Sequence, residues 1–268
     1  RGHKDMFGAI ITAPAVKEAD LGILFMDCDG YLNMSGHASI GISTAAVECG
    51  MVAVQEPDTV IVLDTPAGLV KAKVRVENGK VKEVTVTNVP AFLYKSDVDV
   101  AVPDIGRIML DISFGGSFFA LVSATQLGIE IIPENAGMII RLGLRIRDIL
   151  NSTVKVAHPV LKHINTVDAV VIYDQLAGQN AVLKNAAVFG AGSLNRSPSG
   201  TGLSALIASM FAKGRIRQDE ECVFKSIVGT QFKARASEVS RVGVYDALTI
   251  EITGSAKITG FNHYVIDP

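Results

Sequence analysis

The sequence predicts an α/β protein of two lobes, rich in strands, each lobe built around one buried helix of small residues. Period-two alternation is the first observation: Val70, Ala72, Val74 and Val76 alternate with Lys71, Lys73, Arg75 and Glu77, which makes one sheet face apolar. The second is a pair of short, nearly uncharged helical segments, ASIGISTAAVEC at 38–49 and GLSALIASMFAK at 202–213, each introduced by Ser-Gly and set one lobe's length apart. A helix without a polar face sits inside a shell, not on a surface. A chain of 268 residues is long for one ordinary domain and accommodates two such lobes.

The first hundred residues read mostly as strand. After the run at 70–77, Asn78-Gly79 tolerates the positive φ of a two-residue hairpin turn, and Val81, Val84, Val86 and Val89 carry the return strand. Similar apolar runs occupy 59–64, 108–113, 118–123, 168–173, 185–190, 222–228 and 245–252. Gly50 and Gly214 stand just past the two small-residue helices, where a left-handed C-terminal residue is expected. A third helix, from about Pro133 to Asn151, interleaves Ile139, Leu142, Ile146 and Ile149 with Arg141, Arg145, Arg147 and Asp148; it is amphipathic and belongs on the outside of one lobe.

Composition narrows the function classes. Twenty-five basic and 27 acidic side chains give a formal charge of −2, without a basic run that would mark a nucleic-acid or membrane partner. Mean hydropathy is positive, yet every apolar run is broken well short of the roughly 18 residues of a spanning helix. Cys28, Cys49 and Cys222 match neither a disulfide framework nor a zinc pattern, which fits a reducing, cytoplasmic compartment. The chain opens at Arg1, so a removed leader stays open. His3, His158, His163 and His263 are too dispersed for a metal site, Asp27-Cys28-Asp29-Gly30 reads as a turn, and no dinucleotide or P-loop pattern occurs. Gly115-Gly116 reads as a close backbone approach near the cleft or as a strand bulge.

Asn33-Met34-Ser35-Gly36-His37 precedes the first small-residue helix, and Arg196-Ser197-Pro198-Ser199-Gly200-Thr201 the second. Glycine admits close approach, and free N–H groups at a helix start hold an anion, so two such starts face to face would clamp a small carboxylate. The competing reading is that each serine is only an N-cap.

At these residues the chain resembles the proline racemase family. RGHKDMFGAI, GYLNMSGHASIG, FGGSFF, HINTVD, NRSPSGTG and ITGFNH match that family's segments in order and along essentially the whole chain. The resemblance implies two pseudo-symmetric lobes of the proline racemase and diaminopimelate epimerase type, each a mostly antiparallel sheet wrapped around a central helix, with the site in the cleft between them. The internal repeat sets the expected first lobe at 1–92, the second at 93–255, and residues 256–268 back on the first lobe's sheet; the resemblance adds that relatives are commonly homodimers. The family pattern also has an opening strand before the segment matched at Arg1 and a few residues after the one matched at Pro268; a first lobe without that strand would have an unpaired edge.

The implied chemistry is racemisation or epimerisation of proline or hydroxyproline at Cα, without a cofactor or metal, by a thiolate on one face and a thiol on the other. Carried over by position, the two catalytic thiols fall on Ser35 and Ser199. Gly36, His37, Gly200 and Thr201 match the residues that hold the substrate carboxylate, His37 as a hydrogen-bond donor more than as a base. Phe7 and Phe189 match the aromatic walls, and Asn195 stands where racemases have an aspartate for the ring nitrogen.

Those departures touch the chemistry directly. A thiol ionises near 8.5 and an alcohol nearer the roughly 15.7 of water, a gap of about 7 units or roughly 10 kcal/mol. Active sites supply shifts of about 2 to 5 units. Three readings follow: an isomerase whose thiols were exchanged for serines by engineering or drift and whose turnover has collapsed; a diverged hydroxyproline epimerase or 3-hydroxyproline dehydratase, elimination needing only one base; and a carboxylate-binding pseudoenzyme.

Overall fold

The computed structural model describes residues 6–175, 182–263 and 265. The Arg1 to Asp5 part of the opening motif, and Tyr264 and residues 266–268 of the expected return strand, lie outside them. The chain order begins β1 (Phe7–Thr12), β2 (Leu21–Asp27), β3 (Tyr31–Leu32), α1 (Gly36–Glu48), β4 (Asp58–Thr65), β5 (Gly68–Glu77) and β6 (Lys80–Thr87). It continues with β7 (Ala91–Val102), β8 (Gly106–Phe114), β9 (Phe118–Ser123), α2 (Ala136–Thr153), β10 (Val167–Gln175), β11 (Val182–Phe189), β12 (Ser193–Leu194) and α3 (Gly200–Ala212). The last strands are β13 (Glu221–Lys225), β14 (Gln231–Val242) and β15 (Tyr245–Gly254).

These strands form one continuous sheet in the order β1-β2-β4-β5-β6-β15-β14-β13-β11-β10-β9-β8-β7, with β3 on β2 and β12 on β11. Strand β7 also pairs with β15, Ala91 opposite Leu248 and Phe92 opposite Ala247, which closes the second half into a ring. The protein is a mixed α/β fold with a barrel-like sheet and few helices.

The helices serve as crossovers, because parallel neighbours cannot be joined by a tight turn. Helix α1 joins the parallel pair β2 and β4, α2 joins β9 and β10, and α3 joins β11 and β13. The repeat anticipated from Ser-Gly is a repeat of topology: two antiparallel strands, a two-residue strand on the second of them, a helix, then a parallel strand and its antiparallel neighbour. It runs once through β1, β2, β3, α1, β4, β5 and again through β10, β11, β12, α3, β13, β14.

Helix α3 lies inside the ring, with Leu203, Leu206 and Ile207 at most 1% exposed. Burying each such side chain is worth about 1.5–3 kcal/mol, which explains a helix with hardly a charge on it. Its position is pinned by polar contacts. Asn88, between β6 and β7, donates its side-chain amide to the Gly115 carbonyl and to Ser204 Oγ, both at 2.9 Å. At the other end, buried Asp111 on β8 accepts from Ser209 Oγ at 2.6 Å and from Lys213 Nζ at 2.7 Å. Helix α2 packs outside, on β10 and β11, where Gly143 lies so close to Val188 that an added Cβ would come within 2.7 Å of it.

Two expectations resolve differently at the chain's end and at Gly115-Gly116. The expected return strand over 256–268 is absent among the described residues from 255 onward; β15 itself does that work. Its Glu251–Gly254 end pairs with Val84–Thr87 of β6, so the free side of β6 is already filled there. Gly115-Gly116 is a close approach and not a plain bulge: a Cβ on Gly115 would come within 2.2 Å of the Thr201 carbonyl of α3, and one on Gly116 within 2.9 Å of Met34. Strand β1 ends the sheet, with Ile10 and Ile11 exposed.

Candidate active site

The two repeats bring the starts of α1 and α3 into contact. A Cβ on Gly36 would lie 2.7 Å from the Gly200 Cα, and one on Gly200 would lie 2.7 Å from the Gly36 Cα. Only two glycines allow helix starts to meet this closely. The residues just before them are the two serines: Ser35 Oγ accepts from the Ala38 N–H at 3.4 Å, and Ser199 Oγ from the Gly202 N–H at 3.3 Å. Both are therefore N-caps, which does not exclude a second role, because the N–H groups of the first helical residues come before the helix's own bonding begins. That bonding starts with Ser39 N–H to the Ser35 carbonyl and Leu203 N–H to the Ser199 carbonyl, so Gly36, His37, Gly200 and Thr201 carry the early donors. Two positive dipole ends then converge on one volume, a setting for a carboxylate.

Ser199 is held at φ 61°, ψ 93°, away from the basins that a residue with a Cβ prefers, whereas Ser35 is extended at φ −144°. Strain of that kind collects at functional positions, where the surrounding structure over-determines the backbone.

A cavity opens at this junction and is lined by Phe7, Ser35, His37, Phe189, Asn195, Ser199 and Thr201 from the sequence reading. Gly36 and Gly200 supply backbone at the contact between the helices. Phe7 and Phe189 meet edge to face with ring centroids 6.2 Å apart, and the Phe7 ring lies 4.7 Å from the His37 imidazole. Burial lowers the His37 pKa from 6.5 to about 4, so the ring is neutral near pH 7 and offers a hydrogen bond instead of a charge.

The sequence reading missed Ser117 and Asp168, which line the same cavity together with Leu32, Met34, Phe119, Ala169 and Ala187. Asp168 could have been noticed as a charged residue at the head of the otherwise apolar run VDAVVIY. His158 and Asp27, both read as having no part in the site, are not among the residues lining this cavity. His158 Nδ1 accepts the N–H groups of Val160 and Leu161, and its ring packs on Phe92 and Phe114, a structural use. Asp27 Oδ1 accepts the N–H groups of Asp29 and Gly30, which closes the turn read there. Among the described residues no helix is long and apolar enough to cross a membrane.

With this geometry in hand, the chain can be set beside known proteins. The family model described as proline racemase matches residues 1–268. The proline racemase of Acetoanaerobium sticklandii is 55% identical over 269 residues, a match spanning 100% of this chain and 80% of that protein. The trans-3-hydroxy-L-proline dehydratase of Bacillus thuringiensis subsp. konkukian is 36% identical, again over 100% of this chain and 80% of the relative. A crystal structure of a hydroxyproline epimerase from Agrobacterium vitis, with trans-4-hydroxy-L-proline bound, superposes with a TM-score of 0.91 at 33% identity, covering 94% of this chain and 73% of that one.

Proposed function

The chain belongs to the proline racemase family, and on that premise we propose that the cavity between α1 and α3 binds proline or a hydroxyproline and that its proton transfer at Cα is impaired. The observation that carries this reading is the contact of Gly36 with Gly200, which brings together the two helix starts capped by Ser35 and Ser199. A carboxylate there accepts backbone N–H groups from both helices, and Cα then lies between the two hydroxyls. Neutral His37 adds a hydrogen bond, while Phe7 and Phe189 limit water. In a thiol pair at these positions, one sulfur removes the Cα proton as the other delivers a proton to the opposite face. A serine hydroxyl in the same place lacks the ionised form, and an N-terminal dipole does not close a gap of about 7 units.

The test follows Cα of L-proline by NMR in heavy water. The protein is expected to bind pyrrole-2-carboxylate, a planar mimic, while deuterium enters proline at least about a thousandfold more slowly than with the Ser35→Cys, Ser199→Cys double variant, since each 1.36 kcal/mol of lost stabilisation is tenfold in rate. Absence of binding to either ligand would overturn the imino-acid reading; equal uptake by both proteins would overturn the impairment. A second reading, dehydration of 3-hydroxyproline, is favoured by the likeness to the Bacillus thuringiensis dehydratase. It needs one base, because hydroxide leaves C3 as the Cα proton is removed, and a rise in cyclic imine absorbance would reveal it.

A further inference from the structure

Resting on the imino-acid reading, we propose that Asp168 is the anionic partner of the substrate's ring ammonium. An imino acid enters the cavity as a zwitterion, and the helix starts account for its negative end only. Asn195, which lines the same cavity, is a neutral amide and supplies no charge for the positive end. Asp168 is the one carboxylate among the described residues that line it.

The backbone explains how Asp168 comes to be there. On β10 it falls at a register shift against β9, where Val167 pairs with Phe118 and Ala169 pairs with the very next residue, Phe119. Asp168 is thus the extra residue of a bulge, a device that re-aims a side chain. The consequence is visible in the lining: Asp168 and Ala169, adjacent in the strand and due to face opposite ways, both border the cavity.

The carboxylate is held but not neutralised. Thr166 Oγ1 donates to Asp168 Oδ1 at 2.7 Å, and Ser117 and Asn33 also hydrogen-bond to it. Arg147 of α2 is close enough to act on it by charge, and borders with it the wider polar cavity on the outer side. Burial raises the Asp168 carboxyl above the ordinary carboxylate range, and these donors and Arg147 only partly offset that. A buried carboxylate in that condition gains from a cation brought against it.

Calorimetric titration of wild type and Asp168→Asn with two ligands tests the assignment. L-proline carries the ammonium, whereas the pyrrole nitrogen of pyrrole-2-carboxylate is uncharged. The variant is expected to bind proline roughly ten- to hundredfold more weakly, the scale of one hydrogen bond to a charged group. Its affinity for pyrrole-2-carboxylate is expected to hold or to rise, since a like charge has been removed. Equal weakening of both ligands would show a structural role for Asp168 and overturn the proposal, as would unchanged proline binding. A wild-type protein that binds neither ligand would instead refute the imino-acid site itself.

Discussion

At the scale of single residues, His37 makes the site sensitive to pH through stability. Its pKa falls from 6.5 to about 4 because burial penalises the imidazolium. The unfolded chain takes up a proton below about pH 6.5 that the folded chain refuses until about pH 4. The depressed group therefore contributes stability that is complete above pH 6.5 and is lost as the pH falls through that window. The shift of about 2.5 units corresponds to roughly 3 kcal/mol at most. Urea unfolding of wild type and His37→Asn at pH 7 and pH 4.5 should show wild type losing about 2 to 3 kcal/mol more than the variant. A difference independent of pH would place His37 in water. Much of the site was legible at this scale, since Ser-Gly before a helix of small residues carries its own physical meaning. Asp168 was visible only as the last residue of HINTVD and a charge in an apolar run; that it borders the cavity is decided by a bulge, which leaves no mark in the spacing of apolar residues.

At the scale of elements, the direction of α3 decides whether Ser199 and Gly200 meet their counterparts. The far end of that helix is anchored by Asp111, whose side chain is 7% exposed and which also accepts the backbone N–H of Asp97 at 3.0 Å. Replacing Asp111 by Ala leaves Lys213 and Ser209 facing a buried gap and should cost about 3 kcal/mol, the low end for breaking a buried pair. The urea midpoint should fall at constant slope, with pyrrole-2-carboxylate bound more weakly in conditions where the variant is folded. Unchanged affinity would mean that the helix start is positioned without its anchor. The helices were the most legible elements, their starts only shifted from Ala38 to Gly36 and from Gly202 to Gly200 because the serines cap them directly. Strand β14 escaped notice, and β7 was covered only by the general strand character of the first hundred residues, for a local reason. In β7 the register shifts between Leu93 and Lys95 and again between Lys95 and Val98, and in β14 between Ala236 and Glu238, which breaks the alternation that reveals a strand.

At the scale of the whole molecule, one strand outside both repeats joins the two halves of the sheet. Strand β15 pairs with β14 from Tyr245 to Thr253, with β7 at Ala247 and Leu248, and with β6 from Glu251 to Gly254. Neither half keeps its sheet intact if the other unravels, and the helix starts that meet at Gly36 and Gly200 couple the halves a second time. A hinge with independent lobes would need a seam that few contacts cross. Scanning calorimetry should therefore show one cooperative transition. A ligand seated at the junction touches both repeats, so pyrrole-2-carboxylate at about a hundred times its Kd should add roughly 2.7 kcal/mol to the whole transition. For a chain of this size that corresponds to a rise in Tm of about 5 °C or slightly more. Two resolved transitions, only one of them moved by ligand, would mean that one lobe alone carries the site and that the shared strand does not bind the halves into one unit.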